Sequence, residues 1–294
     1  MPLVFDSKGQ YVRTIGRKGS GPGEFVRPNE LFMLPGDSVL VLDRGSATAS
    51  VVGPDYRVRR VTRVPAAFPS IAVVDWPRRV LMNGMIRSAE SVGWPLHLVD
   101  MSGPEAKVLK SFGLNDGELR PSSARRSGQH LSVSQSGGVW AIDELRYRIT
   151  EWTQVGTVAR TLVRDPHWFR GESSGLRGGR NTAPSPRIAG ISQDADGNLW
   201  IFALVAAENW QSAWRGRPAL MSGEVPASSF PPLDSLYQTK VEVIDPKAGR
   251  IVAAGQTPLL ILGTIEGGVK AVAHATNADG APVVSVLGFS LRRR

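Results

Sequence analysis

The 294-residue chain contains no cysteine, which excludes a disulfide framework and a thiolate metal site. It has no apolar run of roughly 18 residues, so we expect no membrane-spanning helix. Its first residues, MPLVFDSKGQ, do not combine a basic segment with an apolar stretch, and no signal peptide is visible in them. No segment keeps the apolar period of a helix over three turns. The chain is therefore predicted to be almost entirely β.

Turn-forming and basic residues are abundant. The 32 glycines and 21 prolines favour many turns and few long helices. Lysine and arginine together number 35 against 26 acidic residues, which gives a net charge of +9, and 28 of the 35 are arginine. This excess favours an anionic partner, or it reflects codon usage in a GC-rich genome, and charge alone does not separate the two.

Two short sequence units alternate along the chain. The first is a turn followed by an apolar strand, with five copies whose strands begin at Val39, Val80, Val139, Leu199 and Val269. The second is a strand, a tight turn and a strand, as in VFDSKGQYVRTIG, SVVGPDYRVRRV and VEVIDPKAGRIVAAG. The Asp, Pro and Gly residues of this second unit suit hairpin turns. Two such units alternating at roughly 40 to 70 residues are typical of the four-stranded blades of a β-propeller.

These repeats define the predicted organisation. We expect a single β-propeller domain over residues 1–294, with five recognisable blades, a leading hairpin at residues 3–16 and a long loop insertion at about 205–236. The last blade ends after PVVSVLGFSL, at its third strand. The simplest account is a six-bladed propeller that is incomplete at the N-terminus, with its first half-blade and any signal sequence upstream of this chain.

The N-terminal stretch resembles a known family. The run VFDSKGQYVRTIGRKGSGPGEFVRPNELFML, followed by SVLVLDRGSATASVV, is similar to NHL-repeat and related bacterial six-bladed β-propellers. The matching residues are Phe5, Asp6, Gly9, Ile15, Gly16, Gly19, Gly21, Pro22, Gly23, Phe25, Pro28 and Asp43. The match is specific over residues 4–60 and becomes a loose repeat beyond them. The resemblance implies a bacterial propeller that is often extracytoplasmic.

The glycine-rich loop RTIGRKGSGPGEFVRP is predicted to be architectural and not a phosphate-binding loop. It lacks the Gly-Lys-Ser/Thr of a P-loop, contains Pro22, and is followed by no helical pattern. A degenerate copy, SFGLNDGELRP, has Gly113 in place of Gly16 and Leu119 in place of Phe25. A segment that connects two blades is expected to recur along the chain in this way, whereas a phosphate-binding loop normally occurs once.

Other motifs suggest chemistry but fit turns better. GESSG has the spacing of a hydrolase nucleophile elbow at Ser173, with Asp245 and His274 following in hydrolase order, but loop sequence flanks it on both sides. DADGN at 194–198 resembles a calcium loop but stands where sister blades have hairpin turns. Four histidines show no metal-ligand spacing: His97, His130, His167 and His274. No catalytic residue, metal or other cofactor is assigned.

Repetition also favours a structural role for Asp43 and Asp143. They occupy equivalent strand ends, where a carboxylate bonds turn backbone.

Basic and aromatic residues are concentrated in one set of loops. In a propeller the loops after each second and each fourth strand share one face, and most long insertions fall there. Arginine beside aromatic rings suits an anionic or carbohydrate-like ligand, although arginine is also simply tolerated in loops. The predicted ligand-binding residues are Arg44, Arg125, Arg126, Arg146, Arg177, Arg180, Trp210 and Trp214, and Trp168 and Phe169 complete the aromatic group.

The sequence leaves three interpretations of function open. The first is a non-catalytic propeller that binds a protein or an anionic or carbohydrate ligand, as an extracytoplasmic monomer, with a cytoplasmic location as the alternative. The second is a propeller enzyme of the lactonase or lyase type with a metal in its central channel. The third is an RNA-binding propeller of the NHL type. The fold alone does not choose among them.

Overall fold

The computed structural model describes residues 1–65, 70–84, 86, 88–114, 128–169, 181–215, 230–265, 269–277 and 279–292. Strands make up nearly all of the regular structure in these residues. The exceptions are one short 3-10 helix and one four-residue α-helix. The all-β prediction is confirmed.

Two strand pairs precede the first full sheet. The leading hairpin is antiparallel and has no third strand among the described residues. A parallel pair follows inside the glycine-rich loop. These strands are β1 (Leu3–Phe5), β2 (Tyr11–Thr14), β3 (Arg17–Lys18) and β4 (Glu24–Phe25).

Four sheets of four strands follow, and in each sheet the strands lie side by side in chain order, as in propeller blades. The first blade holds β5 (Pro28–Leu34), β6 (Ser38–Asp43), β7 (Thr48–Val52) and β8 (Val58–Arg63). The second holds β9 (Ser70–Asp75), β10 (Arg79–Asn83), β11 (Leu96–Asp100) and β12 (Lys107–Phe112). The third holds β13 (Gln129–Val133), β14 (Val139–Asp143), β15 (Arg148–Trp152) and β16 (Val158–Val163). The fourth holds β17 (Arg187–Gln193), β18 (Leu199–Ala206), β19 (Tyr237–Asp245) and β20 (Arg250–Thr257).

A fifth sheet has three strands, which are β21 (Leu260–Ile265), β22 (Lys270–Thr276) and β23 (Pro282–Gly288). The fold is thus an all-β propeller whose last sheet has three strands among the described residues, in agreement with the sequence prediction. Between β18 and β19 lie the 3-10 helix (Trp210–Trp214) and α1 (Leu233–Leu236), where the long insertion was expected. In the described part of the chain, neither helix has the length or apolar character needed to cross a bilayer.

The turn–strand repeat marks the second strand of every blade. These strands, β6, β10, β14, β18 and β22, begin at or directly beside the five repeat positions Val39, Val80, Val139, Leu199 and Val269. Trp140 and Trp200 each follow such a position by one residue and are 1% and 5% exposed. Because side chains alternate between the faces of a strand, the same phase puts both rings in the interior.

The glycine-rich loop packs against the side chain of Phe25. Phe25 and Ile15 are buried together against Val41 of β6. Gly16 has a φ of +67°, and a Cβ there would lie 2.4 Å from the carbonyl oxygen of Gly23 and 2.7 Å from the Phe25 ring. Glycine is therefore required both by the backbone conformation and by close packing, which supports the architectural interpretation.

Asp43, at the end of β6, joins two loop segments. Its carboxylate accepts backbone N–H groups from Val26 and Arg27 on one segment and from Gly45 and Ser46 on the other. Burial acts to raise the pKa of Asp43, but the four donors outweigh it and hold that pKa below its usual value. The predicted structural role of this aspartate is confirmed.

The described contacts divide the chain into two compact units. The first comprises Met1–Gln129, Ser136–Val139 and Trp152–Val158, and the second comprises His130–Gln135, Trp140–Glu151 and Ala159–Arg294. The first unit has a core around Leu40, Val80 and Met82. The second has a core on each face of β18, one containing Phe202 and the other Ile201. The single domain expected over residues 1–294 stays a prediction.

Candidate ligand-binding site

An open cavity of about 620 Å³ lies in the second unit. The turn after β18 and the 3-10 helix form one wall, and α1 with the start of β19 forms another. The third wall is the connection from β20 to β21. These are loops after a second strand and after a fourth strand, which is the loop class in which the sequence predicted a ligand site.

The lining of this cavity is polar and carries negative charge. Its carboxylates are Glu208 and Asp234, and its neutral polar side chains are Asn209, Ser212, Ser235, Gln238, Gln256 and Thr257, beside the phenol of Tyr237. No lysine, arginine or histidine belongs to the described lining. The cavity therefore contrasts with the chain as a whole, whose net charge is +9. Such a lining offers hydrogen bonds to hydroxyl groups and disfavours anions.

Asp234 is held in the cavity wall by the neighbouring blade. Thr276, at the end of β22, donates its hydroxyl to Asp234 Oδ2 at 2.5 Å. His274 Nδ1 lies 3.7 Å from the same oxygen. The Asp234 side chain is only 14% exposed, so its carboxylate is fixed in position before any ligand arrives.

Tyr237 forms the floor of the cavity. It is 1% exposed, and its hydroxyl donates to the carbonyl oxygen of Ser185 at 2.9 Å. Burial raises the pKa of Tyr237 to about 12, so the phenol stays neutral. Gln238 Nε2 donates to the carbonyl oxygen of Ala206 at 3.1 Å. Since these side chains are already bonded, the floor is pre-formed.

A second polar and aromatic group lies further along β19. Lys240 Nζ is 5.0 Å from the centroid of the Trp168 ring. Trp168, Phe169 and Tyr147 pack edge-to-face with centroid distances of 5.5 to 5.9 Å. Gln238, Lys240 and Glu242 are alternate residues of one strand and so share a face. One face of β19 thus runs from the cavity to this aromatic group.

Glu242 holds the aromatic group in place through two hydrogen bonds. Its Oε2 accepts the hydroxyl of Tyr147 at 2.6 Å and also a hydrogen bond from Arg164 Nη1. Burial, followed by the negative charge of Glu242, raises the pKa of Tyr147 above its usual range. Tyr147 is 4% exposed and Glu242 is 4% exposed, so this group acts as an internal support.

The structure places the residues predicted from sequence in different surroundings. Arg44 is exposed in the β6–β7 turn of the first unit, and Arg146 is exposed in the β14–β15 turn of the second. Trp210 is partly buried beside the cavity residue Asn209, whereas Trp214 is 3% exposed and packs in the core. Four predicted residues lie outside the described residues: Arg125, Arg126, Arg177 and Arg180. Of the four that are described, none lines the cavity.

The predicted aromatic group divides in two. Trp168 and Phe169 pack with Tyr147, while Trp214 packs edge-to-face with Phe230 at 6.1 Å. The sequence identified the insertion that builds the cavity but missed the acidic and amide residues that line it. Position in the insertion could have pointed to Glu208, Asn209 and Asp234, but Gln238 and Gln256 lie outside it in β19 and β20. Isolated Gln and Asp residues carry no motif.

The other motifs that suggested catalysis or metal binding lie in turns or outside the described residues. The carboxylate of Asp245 accepts the backbone N–H groups of Lys247 and Ala248, as expected for a hairpin turn. DADGN is also a turn, in which Asp194 bonds Asn198 and the indole of Trp200. The GESSG motif at 171–175 lies outside the described residues.

Two of the four histidines, His97 and His130, are held by hydrogen bonds within the protein. His97 bonds Ser111 and the carbonyl oxygen of Gly84, and burial lowers its pKa. His130 bonds the carbonyl oxygen of Ile188, and burial lowers its pKa as well. Among the described residues, no three acidic or histidine side chains cluster as metal ligands would.

Comparison with known proteins by sequence gives one partial match. A family described as a 6-bladed beta-propeller, DUF5128, matches residues 3–48. This stretch holds the leading hairpin, the glycine-rich loop and the first two strands of the first blade. A search of curated proteins found no match.

Comparison with solved structures extends over nearly the whole chain. A member of the DUF4221 family from Bacteroides vulgatus has a TM-score of 0.62 at 11% identity, covering 98% of this chain and 86% of that chain. A Bacteroides fragilis protein, provisionally named as exported, has a TM-score of 0.52 at 12% identity, covering 93% and 73%. At such identities the likeness shows the fold alone. By its own strand order and by its similarity to these structures, the chain is a β-propeller.

Proposed function

We propose that this protein is a non-catalytic binding propeller that holds a small polar ligand in the cavity of the second unit. The ligand is rich in hydroxyl groups and carries no net negative charge. One observation supports this most directly: two carboxylates and six neutral polar side chains line the cavity, and no basic side chain is among them.

The negative charge of the cavity lining favours a neutral ligand over the anionic ligand that the arginine content suggested. A phosphate or carboxylate in the cavity would lie near Glu208 and Asp234, and like charges at close range cost free energy. Amides and hydroxyls both donate and accept, so they match the hydroxyls of a sugar without regard to charge. A carbohydrate ligand, already one of the alternatives from sequence, is therefore favoured over an anionic one for this cavity.

The proposal of binding over catalysis rests on how the polar groups are used. Asp234 Oδ2 already accepts the hydroxyl of Thr276, Gln238 bonds Ala206, and Tyr237 bonds Ser185. Groups fixed by such bonds orient a ligand well. We also propose an extracytoplasmic location, supported by the provisional name of the similar Bacteroides fragilis protein. Membership of the NHL-type propellers is part of the same proposal.

Isothermal titration calorimetry tests the proposed ligand class. Glucose and maltose represent neutral sugars, and glucose phosphate and glucuronate are matched anions. We expect a neutral sugar to bind more tightly than its anionic counterpart. Asn209→Ala and Gln256→Ala should each weaken binding about fivefold to tenfold, because each removes one hydrogen bond.

Gln211→Ala is the matched control for these variants. Gln211 lies in the same 3-10 helix as Ser212 and is exposed, but it does not line the cavity. Its substitution should leave the affinity unchanged. Tighter binding of the anionic sugars, or equal losses in all three variants, would contradict the proposal.

A further inference from the structure

The charge of the cavity lining is opposite in sign to the charge of the chain. Basic residues outnumber acidic residues in the sequence, 35 to 26. The described lining nevertheless has two carboxylates, Glu208 and Asp234, and no basic side chain. The overall composition therefore does not account for the charge of the cavity.

Only one oxygen of the Asp234 carboxylate is occupied by a neighbour. Oδ2 accepts the hydroxyl of Thr276 at 2.5 Å. Oδ1 accepts no hydrogen bond from any described residue. The Asp234 side chain is 14% exposed, so water has little access to the carboxylate. A ligand that donates a hydrogen bond to Oδ1 would replace solvation that folding has removed.

The basic side chains around Asp234 do not bond to it. His274 Nδ1 lies 3.7 Å from Asp234 Oδ2, beyond hydrogen-bond distance, and this nitrogen has no hydrogen-bond partner among the described residues. The charge of Arg187 acts on the hydroxyl of Tyr237, but Arg187 does not line the cavity. It is paired with Glu144 Oε1 at 3.1 Å. Within the described chain, the Asp234 carboxylate thus has no basic partner at hydrogen-bond distance.

We propose that the ligand carries an ammonium group, which binds Asp234 Oδ1, together with hydroxyl groups that bind the amides of the lining. The ligand is then an amino sugar or a similar hydroxyl-rich amine. This inference rests on the proposed function, because it takes the cavity as the binding site. An ammonium group donates up to three hydrogen bonds and accepts none, so it suits a carboxylate. A hydrogen bond between two charged groups is also stronger than one between neutral groups.

The other polar groups of the lining fit the same ligand. The side-chain amides of Asn209 and Gln256 line the cavity and make no hydrogen bond to a described residue. Amides both donate and accept, so these two are suited to the ligand's hydroxyls. Glu208 is exposed, and water and salt screen its charge more than that of Asp234. Asp234 is therefore the main determinant of the charge of the ligand.

Isothermal titration calorimetry at pH 7 tests the proposal with sugars of one scaffold and different charge. Glucose is neutral, 6-amino-6-deoxyglucose is a cation and glucose 6-phosphate is an anion, and all three differ at the same position. Glucosamine places the ammonium group at a second position, so the result does not depend on one orientation of the ligand. We expect at least one amino sugar to bind about fivefold more tightly than glucose, and this gain to shrink as salt is added.

Three variants assign the preference to one carboxylate. Asp234→Asn removes the charge but keeps an oxygen that can accept the hydroxyl of Thr276, and it should abolish the difference between the amino sugar and glucose. Glu208→Gln should reduce that difference less, because Glu208 is exposed. Asp165→Asn is the matched control, since Asp165 is exposed in the same unit and does not line the cavity. It should leave the difference unchanged.

The outcomes separate this inference from the proposed function. Equal binding of glucose and both amino sugars to the wild type would overturn the inference and leave the proposed function standing. A preference for the amino sugar that survives Asp234→Asn would do the same. If no sugar binds, whether neutral or amino, both proposals are wrong. The comparison of sugars on the wild type tests the inference even if Asp234→Asn does not fold.

Discussion

Tyr147 and Glu242 are 95 residues apart in sequence, yet the Tyr147 hydroxyl donates to Glu242 Oε2 at 2.6 Å. Tyr147 follows β14 in the third blade, and Glu242 lies in the middle of β19 in the fourth. Arg164 donates to the same oxygen and lies over the Tyr147 ring. A buried acceptor thus joins a tyrosine and an arginine and supports the aromatic group beside the cavity.

Removing the acceptor should destabilise the second unit strongly. We expect Glu242→Ala to cost about 3–5 kcal/mol of unfolding free energy, because it leaves a buried hydroxyl and a partly buried guanidinium without their partner. Tyr147→Phe should cost only about 1–2 kcal/mol, since Glu242 keeps its bond from Arg164. Urea denaturation measures both values. Equal costs for the two variants would contradict the role given to Glu242.

Two glycines allow the stability cost of a positive φ to be measured separately from the cost of disturbing close packing. Gly16 and Gly9 both have positive φ, at +67° and +78°. A Cβ at Gly9 would meet nothing within 4 Å, whereas a Cβ at Gly16 would clash with Gly23 and Phe25. We therefore expect Gly9→Ala to cost about 1 kcal/mol and Gly16→Ala about 2 kcal/mol more, as measured by thermal or urea unfolding. Equal costs for the two variants would contradict the close packing of Gly16 against Gly23 and Phe25.

The buried phenol of Tyr237 should make the protein sensitive to alkali. Burial raises its pKa from 10.0 to about 12 in the folded state. Below pH 10 the phenol is protonated in both states, and its contribution to stability is constant. Between about pH 10 and 12 only the unfolded chain loses the proton, so stability falls as pH rises, by up to about 2 kcal/mol.

Denaturation at pH 9 and pH 11 measures this loss. Tyr237→Phe should reduce the difference between the two pH values. Tyr11→Phe should not, because Tyr11 is 59% exposed. The same difference in wild type and in Tyr237→Phe would show that other groups cause the alkaline sensitivity.

The arginine excess should give weak retention on heparin that falls steeply with salt, since released counterions drive it. Arg44→Glu and Arg146→Glu should each lower the eluting salt concentration while leaving stability nearly unchanged, because exposed charges contribute little to folding. The charge reversal of Arg125 and Arg126, which lie outside the described residues, belongs to the same series. If retention on heparin changes neither with salt nor with these substitutions, the arginines only reflect codon usage.

The blade pattern could be predicted from sequence because it depends on local and repeated physics. Turn residues at a regular spacing fix where each hairpin reverses, and alternation fixes which side chains enter the core. Trp140 and Trp200 each follow one of the repeat positions by one residue, and both are buried. Asp43 was identified as structural from its repeated position, and its carboxylate bonds four backbone groups.

The ligand site could not be predicted in the same way. Arginine and tryptophan stood out by composition, but Trp214 packs in the core and neither Arg44 nor Arg146 lines the cavity. Glu208, Asp234 and Gln256 come from three separate segments and match no motif. Their chemistry emerges only when the chain brings them to one cavity.

By itself, then, the sequence determined an all-β propeller, the second strand of each blade and the structural role of its glycine-rich loop. These features follow from interactions between near neighbours in the chain, whose spacing is written in the residue order. Only the tertiary structure decided that Asp234 is held by Thr276, that Tyr147 is bonded to Glu242, and that Glu208 and Asp234 line one cavity. Each of these depends on which distant segments pack together, and residue order does not state that directly.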